Sequence, residues 1–263
     1  MLRLTALFLA FFCMAAAAQA QIAVNPEPFG VWIEELKAEA LARGLDSAML
    51  DAVLINVAPL PRVIELDNAQ PENTLTEEEY LRRMVTPEKI RKAQAAYREN
   101  YALLWQVSER YGVEPQYIVA LWGIESNFGE RQGRFNVIEA LVTLAYDGRR
   151  SAYFRGELLN ALTIIQQERL NPEEMRGSWA GAMGQSQFMP SSFLRYAVDF
   201  DGDGRRDIWH SRADAFASIA NYLASEGWNQ HTDHTSVLLK WNRSRYFATA
   251  VTMLANGIAR GSQ

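Results

Sequence analysis

The chain has 263 residues, 49% of them apolar, and a formal net charge of −5. That is enough apolar material for a sizeable core, in one large domain or in a core with an accessory lobe. A mildly acidic chain without a basic block is a poor match for nucleic acid or for an anionic membrane surface.

Arg3 is followed by an apolar and small-residue run from Leu4 to Ala18, broken only by Thr5. The run ends in Ala18-Gln19-Ala20, a small-x-small cleavage site, with Gln21 as the expected mature start. Residues 1–20 therefore read as a secretory signal peptide whose apolar stretch is short for a membrane span. Cleavage near Ala20 removes Arg3 and takes the net charge from −5 to −6. The single cysteine, Cys13, lies inside the signal behind Phe12, so no lipid anchor is expected. The mature protein then has no disulfide framework, and it is expected to be exported, periplasmic and soluble.

Residues 29 to 56 read as amphipathic helix, with Trp32, Ile33, Leu36 and Ala40 on one stripe and a break at Gly44. Asp46 or Ser47 caps a second short helix carrying Leu50, Val53 and Leu54. Residues 57 to 76 hold Pro59, Pro61 and Pro71 among polar residues and read as an extended connection. Helical pattern resumes at Glu77, breaks at Thr86-Pro87 and runs on to Tyr111. Further helices are predicted over 136–146, 151–168, 191–198, 212–226 and 242–258. No segment alternates long enough to require a strand, so the fold class is mainly α.

The helix predicted from Pro115 carries Ile118, Leu121 and Trp122 on an apolar stripe whose next position is Glu125. Asn127 and Gly129 are its stop signals. A carboxyl so placed loses hydration and tends to hold a proton near neutrality, as a general acid for glycosidic cleavage must. The same pattern also suits one half of a buried ion pair.

Three further segments carry chemistry. Residues 177–190 combine three glycines with Ser178, Gln185 and Gln187, uncharged donors and acceptors suited to sugar hydroxyls and acetamides. Residues 199–207 place Asp199, Asp201 and Asp203 at alternate positions with Gly204 at the sharp turn, the start of a calcium loop. The twelfth position is His210 rather than glutamate, and Asp207 or Asp214 is left to close the sphere. Trp179, Trp209, Trp228 and Trp241, with Tyr222 and Tyr246, supply rings for core packing or for sugar faces. Arg149 and Arg150 read as surface charges or as a clamp for a substrate carboxylate.

In order along the chain these segments resemble the lytic murein transglycosylase B family, glycoside hydrolase family 103. The resemblance rests on Trp122-Gly123-Ile124-Glu125-Ser126-Asn127-Phe128-Gly129, on Thr143-Leu144-Ala145-Tyr146-Asp147-Gly148-Arg149-Arg150, on residues 178–190 and 199–209, and on Ile219-Ala220-Asn221-Tyr222-Leu223. Gly227-Trp228 and Trp241-Asn242-Arg243-Ser244 extend it, and it spans nearly all of residues 29 to 260. It implies a lysozyme-like helical core that cuts the β-1,4 bond between N-acetylmuramic acid and N-acetylglucosamine in peptidoglycan. Cleavage would proceed without water and leave 1,6-anhydromuramoyl ends.

By position, the resemblance makes Glu125 the single acid/base and Ser178, Gln187 and Tyr222 residues of the glycan cleft. It makes Asp199, Asp201, Asp203 and the Arg205 carbonyl ligands of a structural calcium ion closed by Asp214. The implied domains are a helical segment and linker over 21–100, a catalytic core over 101–228 with its calcium loop at 199–214, and a short connection plus C-terminal helix over 229–263. Only twelve residues separate Trp228 from Trp241, where the family carries a β-containing lobe, and Trp241 and Phe247 stand where family members have tyrosines. Glu130, Glu139, Asp147 and Glu157 are candidates for a second acid. The alternatives are a hydrolytic muramidase and a catalytically silent, calcium-stabilised wall-binding protein.

Overall fold

Prolines and polar caps start most of the helices, and the computed structural model shows where each begins. It describes residues 27–69, 75–148 and 150–261. The signal peptide, Cys13, Pro71 and Arg149 lie outside the described residues. Pro61, Pro87, Pro115 and Pro190 each occupy a first-turn position, where the missing N–H has no helical partner to lose. Asp46, Asn136, Ser211, Asp233 and Ser244 cap through a side-chain oxygen. Thr76 and Glu79 form a reciprocal capping box.

Three N-terminal helices, α1 (Phe29–Ala42), α2 (Ser47–Leu54) and α3 (Pro61–Asn68), lie against a hairpin of α8 (Val137–Asp147) and α9 (Ser151–Glu168). Polar staples fix them there. The Leu60 N–H donates to Thr143 Oγ1 at 2.9 Å and the Asp46 N–H to Gln166 Oε1 at 2.7 Å. Arg150 pairs with the buried Asp67 at 2.7 Å, so it ties α3 to the start of α9. Trp32 packs edge-on against Tyr146 with ring centres 5.6 Å apart.

The centre of the molecule is α7 (Pro115–Ser126), surrounded by α5 (Pro87–Glu99), α6 (Tyr101–Tyr111), α11 (Arg212–Ser225) and α13 (Arg245–Arg260). From Ile118 to Ser126 every residue except Glu125 is buried. The predicted one-sided stripe is therefore an understatement: all faces of this helix are covered. Close approach is possible because Gly123 has no side chain; a Cβ there would lie 2.6 Å from the Phe128 ring. The remaining helices are α4 (Glu77–Met84), α10 (Pro190–Tyr196) and α12 (His234–Trp241). No helix among the described residues is long and apolar enough to cross a membrane.

Two expectations need correction. Residues 61–68 of the predicted extended connection are helix α3, because Pro61 begins that helix rather than breaking it and Val63 buries completely. The 229–263 region holds an additional helix, α12, capped by Asp233. The boundary expected at residue 100 falls at a direct bend, where Asn100 ends α5 and opens α6.

Strand structure among the described residues is one antiparallel pair, β1 (Phe135–Asn136) with β2 (Arg176–Gly177). Single bridges from Gly177 to Met183 and from Met183 to Phe188 fold the glycine-rich loop back beside it. Gly133 (φ +96°) passes this pair so closely that a Cβ would sit 1.9 Å from the Gly177 carbonyl oxygen. Gly133→Ala is expected to destabilise the protein by about 3 kcal/mol, since both the positive φ and an immovable backbone atom oppose the methyl group. Urea unfolding of the two proteins measures it.

Candidate active site

Glu125 sits in the last turn of α7, and the backbone just beyond it is unusual. Asn127 (φ 53°), Phe128 (φ 65°) and Gly129 (φ 81°) are three successive left-handed residues. Non-glycine residues adopt this region reluctantly, so the turn is held from outside. The Phe128 N–H donates to the Trp122 carbonyl at 3.2 Å and the Gly129 N–H to Ser126 Oγ at 3.0 Å. Trp122 Nε1 donates to Gln185 Oε1 at 3.0 Å, and the Gln185 amide donates on to the Trp209 carbonyl at 3.1 Å. The end of α7, the glycine-rich loop and the aspartate loop are thus joined through one buried glutamine.

The Glu125 side chain is half-buried. Trp241 Nε1, at the end of α12, donates to Glu125 Oε1 at 2.7 Å. Loss of hydration pushes the Glu125 pKa up to about 7, and the indole hydrogen bond opposes that rise. Tyr80 on α4 lies close enough that the Glu125 charge adds to the effect of burial in raising its own pKa. Glu125 faces a cleft of about 570 Å³ whose walls include Arg83, Met84, Lys89, Ile124, Asn127 and Arg131.

The other predicted site residues take definite places. Ser178 Oγ accepts from the Ala180 and Ala182 N–H groups at 3.3 and 3.0 Å and so braces the loop. Gln187 (φ 49°) donates its amide to the Gly184 and Gln132 carbonyls at 2.8 and 3.1 Å. Tyr222 is buried, its pKa pushed up to about 12 by that burial, and its ring lies 4.6 Å from Trp241. Phe188 packs on the same indole at 5.4 Å. Trp241 thus joins Tyr222 and the glycine-rich loop to Glu125.

No tyrosine hydroxyl is available at position 241, yet the indole supplies an N–H in the same neighbourhood. This role is not legible in the sequence around Trp241. The only signal was an aromatic donor at the end of a short capped helix, and nothing local said where it would point.

Of the candidate second acids, Glu139, Asp147 and Glu157 do not line this cleft. Glu157 accepts from Ser191 N and Oγ at 2.8 and 2.6 Å. Glu139 lines a separate cavity beside α2, and Asp147 is engaged in an interaction of its own. Glu130 shares the Glu125 cleft but is exposed, and Lys92 at 2.5 Å holds its carboxyl below the usual range.

In the aspartate loop, oxygens of Asp199, Asp201 and Asp203 lie within 4.8 Å of one another, a donor set that fits a hard dication such as calcium. Gly202 and Gly204 take the positive φ values of 78° and 89° that the loop needs. The Arg205 N–H donates to Asp203 Oδ1 at 2.8 Å. Asp214 is not one of these three. It is fully buried behind the loop, where Oδ1 accepts from the Phe200 N–H and Oδ2 from the Asp207 N–H, both at 2.8 Å. These bonds brace the loop, and each Asp214 oxygen keeps a further lone pair for a cation.

Fold and site together define a lysozyme-like helical protein built around one half-buried acid. The chain belongs to the family described as Transglycosylase SLT domain, which it matches over residues 28–236. It is 36% identical over 198 residues to membrane-bound lytic murein transglycosylase B of Escherichia coli (strain K12). That alignment covers 70% of this chain and 54% of the relative, so the chain spans about half the length of that curated protein. SltB3 from Pseudomonas aeruginosa, solved in complex with NAG-anhNAM-pentapeptide, is similar with a TM-score of 0.85 and 34% identity, over 90% of this chain and 81% of that one. The Escherichia coli lytic transglycosylase Slt35, solved in complex with calcium, is similar with a TM-score of 0.81 and 25% identity, over 92% and 96%.

The raised pKa has a consequence for stability. The folded value exceeds the ordinary 4.5, so the native state binds more protons than the unfolded chain between about pH 4.5 and 7. Stability contributed by the neutral carboxyl is therefore present at low pH and lost as pH rises through that window. Glu125→Gln, which keeps an acceptor for Trp241, is expected to gain on wild type by about 2 kcal/mol between pH 5 and 8, discounted from the full shift because the group retains solvent contact. In Trp241→Phe the midpoint of that pH dependence is expected to rise. Denaturant melts across pH report both.

Proposed function

We propose that this chain is an exported peptidoglycan lytic transglycosylase that cleaves the β-1,4 bond between N-acetylmuramic acid and N-acetylglucosamine. The observation that carries this is a half-buried Glu125 lining a cleft, where burial pushes its pKa up to about 7. The other carboxylates among the described lining residues, Glu88 and Glu130, are both exposed. Family membership and the similarity to SltB3 in complex with NAG-anhNAM-pentapeptide support the same substrate and product class.

Protonated Glu125 donates to the glycosidic oxygen as the C1–O bond breaks and the sugar gains oxocarbenium character. The carboxylate so formed removes the proton from the C6 hydroxyl of the same sugar, whose oxygen bonds to C1 and closes the anhydro ring. The acid ends the cycle reprotonated. An intramolecular nucleophile arrives already positioned, so no second carboxylate is needed to hold a water. Trp241 keeps the carboxyl oriented, and the buried rings of Tyr222 and Phe188 hold the indole in place. Ser178 and Gln187, which brace the glycine-rich loop, are assigned to the muramoyl subsite on the family resemblance. Residues 1–20 direct export and are removed.

Mass spectrometry of digested peptidoglycan is expected to show anhydromuramoyl ends; reducing ends one water heavier would instead mean a hydrolytic muramidase. Glu125→Gln is expected to lose at least a thousandfold in rate while still sedimenting with peptidoglycan. An active variant removes the role given to Glu125, and an inactive wild type that still binds leaves the silent wall-binding protein.

The loop at Asp199, Asp201 and Asp203, with the Arg205 carbonyl and with Asp214 as closing carboxylate, holds a structural calcium ion. Support comes from the donor geometry and from Slt35, solved in complex with calcium. Chelation is expected to lower the melting temperature by about 5 °C at saturating metal. An unchanged melting curve with chelator present counts against calcium.

A further inference from the structure

The cleft that holds Glu125 is cationic in a chain that is acidic overall. Arg83, Lys89, Lys92 and Arg131 line it, against Glu88 and Glu130 once Glu125 holds its proton. Lys92 is neutralised by Glu130 at 2.5 Å and leans over the Phe128 ring. Among the described residues no side-chain hydrogen bond or ion pair engages Arg83, Lys89 or Arg131.

Lys89 is the most telling of these. It is half-buried on α5, and burial, then repulsion from Arg131 and Lys92, pushes its pKa below the usual lysine value. Arg83 and Arg131 are exposed at the cleft surface while Lys89 is half-buried, and like charges gathered in a concave wall repel one another and destabilise the free protein. Such a cluster becomes favourable when an anion enters between them, because charge-assisted hydrogen bonds to a carboxylate replace the repulsion. The position beside Glu125 limits which anion this is: it must belong to the polymer whose bond Glu125 breaks.

The geometry points to a carboxylate-binding subsite, formed by Lys89 and Arg131 with Arg83 at its edge, that takes the acidic arm on O3 of a muramoyl residue. This rests on the glycan-cleaving role of Glu125. In peptidoglycan that arm ends either in the bare lactyl carboxylate or, when amide-linked, in the carboxylates of a stem peptide. Both present the same chemistry to the cluster. The subsite would set substrate preference, and it would act on binding more than on the bond-breaking step.

Kinetics on three soluble glycan preparations test this: strands bearing stem peptides, strands stripped to lactyl carboxylates, and strands whose carboxylates have been converted to neutral methylamides. Wild type is expected to lose about tenfold in kcat/KM on the amidated strands. The Lys89→Met, Arg131→Gln double variant is expected to show a similar loss on carboxylate-bearing strands, through KM, with no further loss on amidation. Loss confined to peptide-bearing strands assigns the subsite to the stem peptide, and loss on stripped strands assigns it to the lactyl group. The Lys89→Met single variant is expected to melt higher than wild type, because a repulsive charge is removed. A double variant with wild-type KM on both charged preparations, or one equally impaired on neutral strands, overturns the subsite. Failure of wild type to form anhydromuramoyl ends would instead count against the chemistry assigned to Glu125.

Discussion

The rest of this structure depends on the enclosure of α7. A helix covered on all faces has nowhere to place a carboxylate except at its end, where the ring of neighbouring helices opens. Glu125 occupies that opening and is half-buried in it, and Trp241 supplies the hydrogen bond that orients it. Removing water there while leaving the acid one neutral donor keeps a proton on it near neutrality. An Arg or Lys paired to Glu125 would have had the opposite effect. The cations of the cleft, by contrast, surround a space rather than the acid itself.

A second consequence runs outward from the same helix end. Trp122 reaches Gln185, and Gln185 reaches the Trp209 carbonyl while its own N–H bonds the Ile208 carbonyl at 2.8 Å. Trp209 Nε1 in turn donates to the Arg176 carbonyl of β2 at 2.8 Å. The glycine-rich loop therefore rests on the aspartate loop by direct bonds, and order in one is passed to the other. A cation held by Asp199, Asp201 and Asp203 would act at this distance from the acid, as a support for the loop that frames it. Asp214 braces the same loop from the buried side.

The segment after Trp228 adds the last piece of the acid's surroundings. Residues 229–244 hold one capped helix whose last residue, Trp241, enters the site. Trp241 packs on Tyr222 and Phe188 and reaches Glu125, so a small insertion closes one side of the acid's surroundings. The β1–β2 pair and its two bridges are all the strand structure among the described residues, enough to turn the glycine-rich loop but too little to form a separate lobe.

Local physics made much of this legible in advance. Helix starts at Pro87, Pro115 and Ser151 follow from proline, capping and apolar spacing, and the placement of Glu125 among apolar residues marked it as an acid with a perturbed proton. The three aspartates at alternate positions declared their own cluster. Helix α3 was hidden because a proline that opens a helix looks, in isolation, like one that interrupts an extended segment. The sequence by itself determined the helices, the acid and the loop chemistry, all of which are set by neighbours within a few residues. Only the tertiary structure decided which donor meets Glu125, how deeply Asp214 is buried behind its loop, and which cations face the cleft. The Trp241–Glu125 bond joins residues 116 apart, and its direction depends on how α12 and α13 pack on the core, which no local spacing encodes.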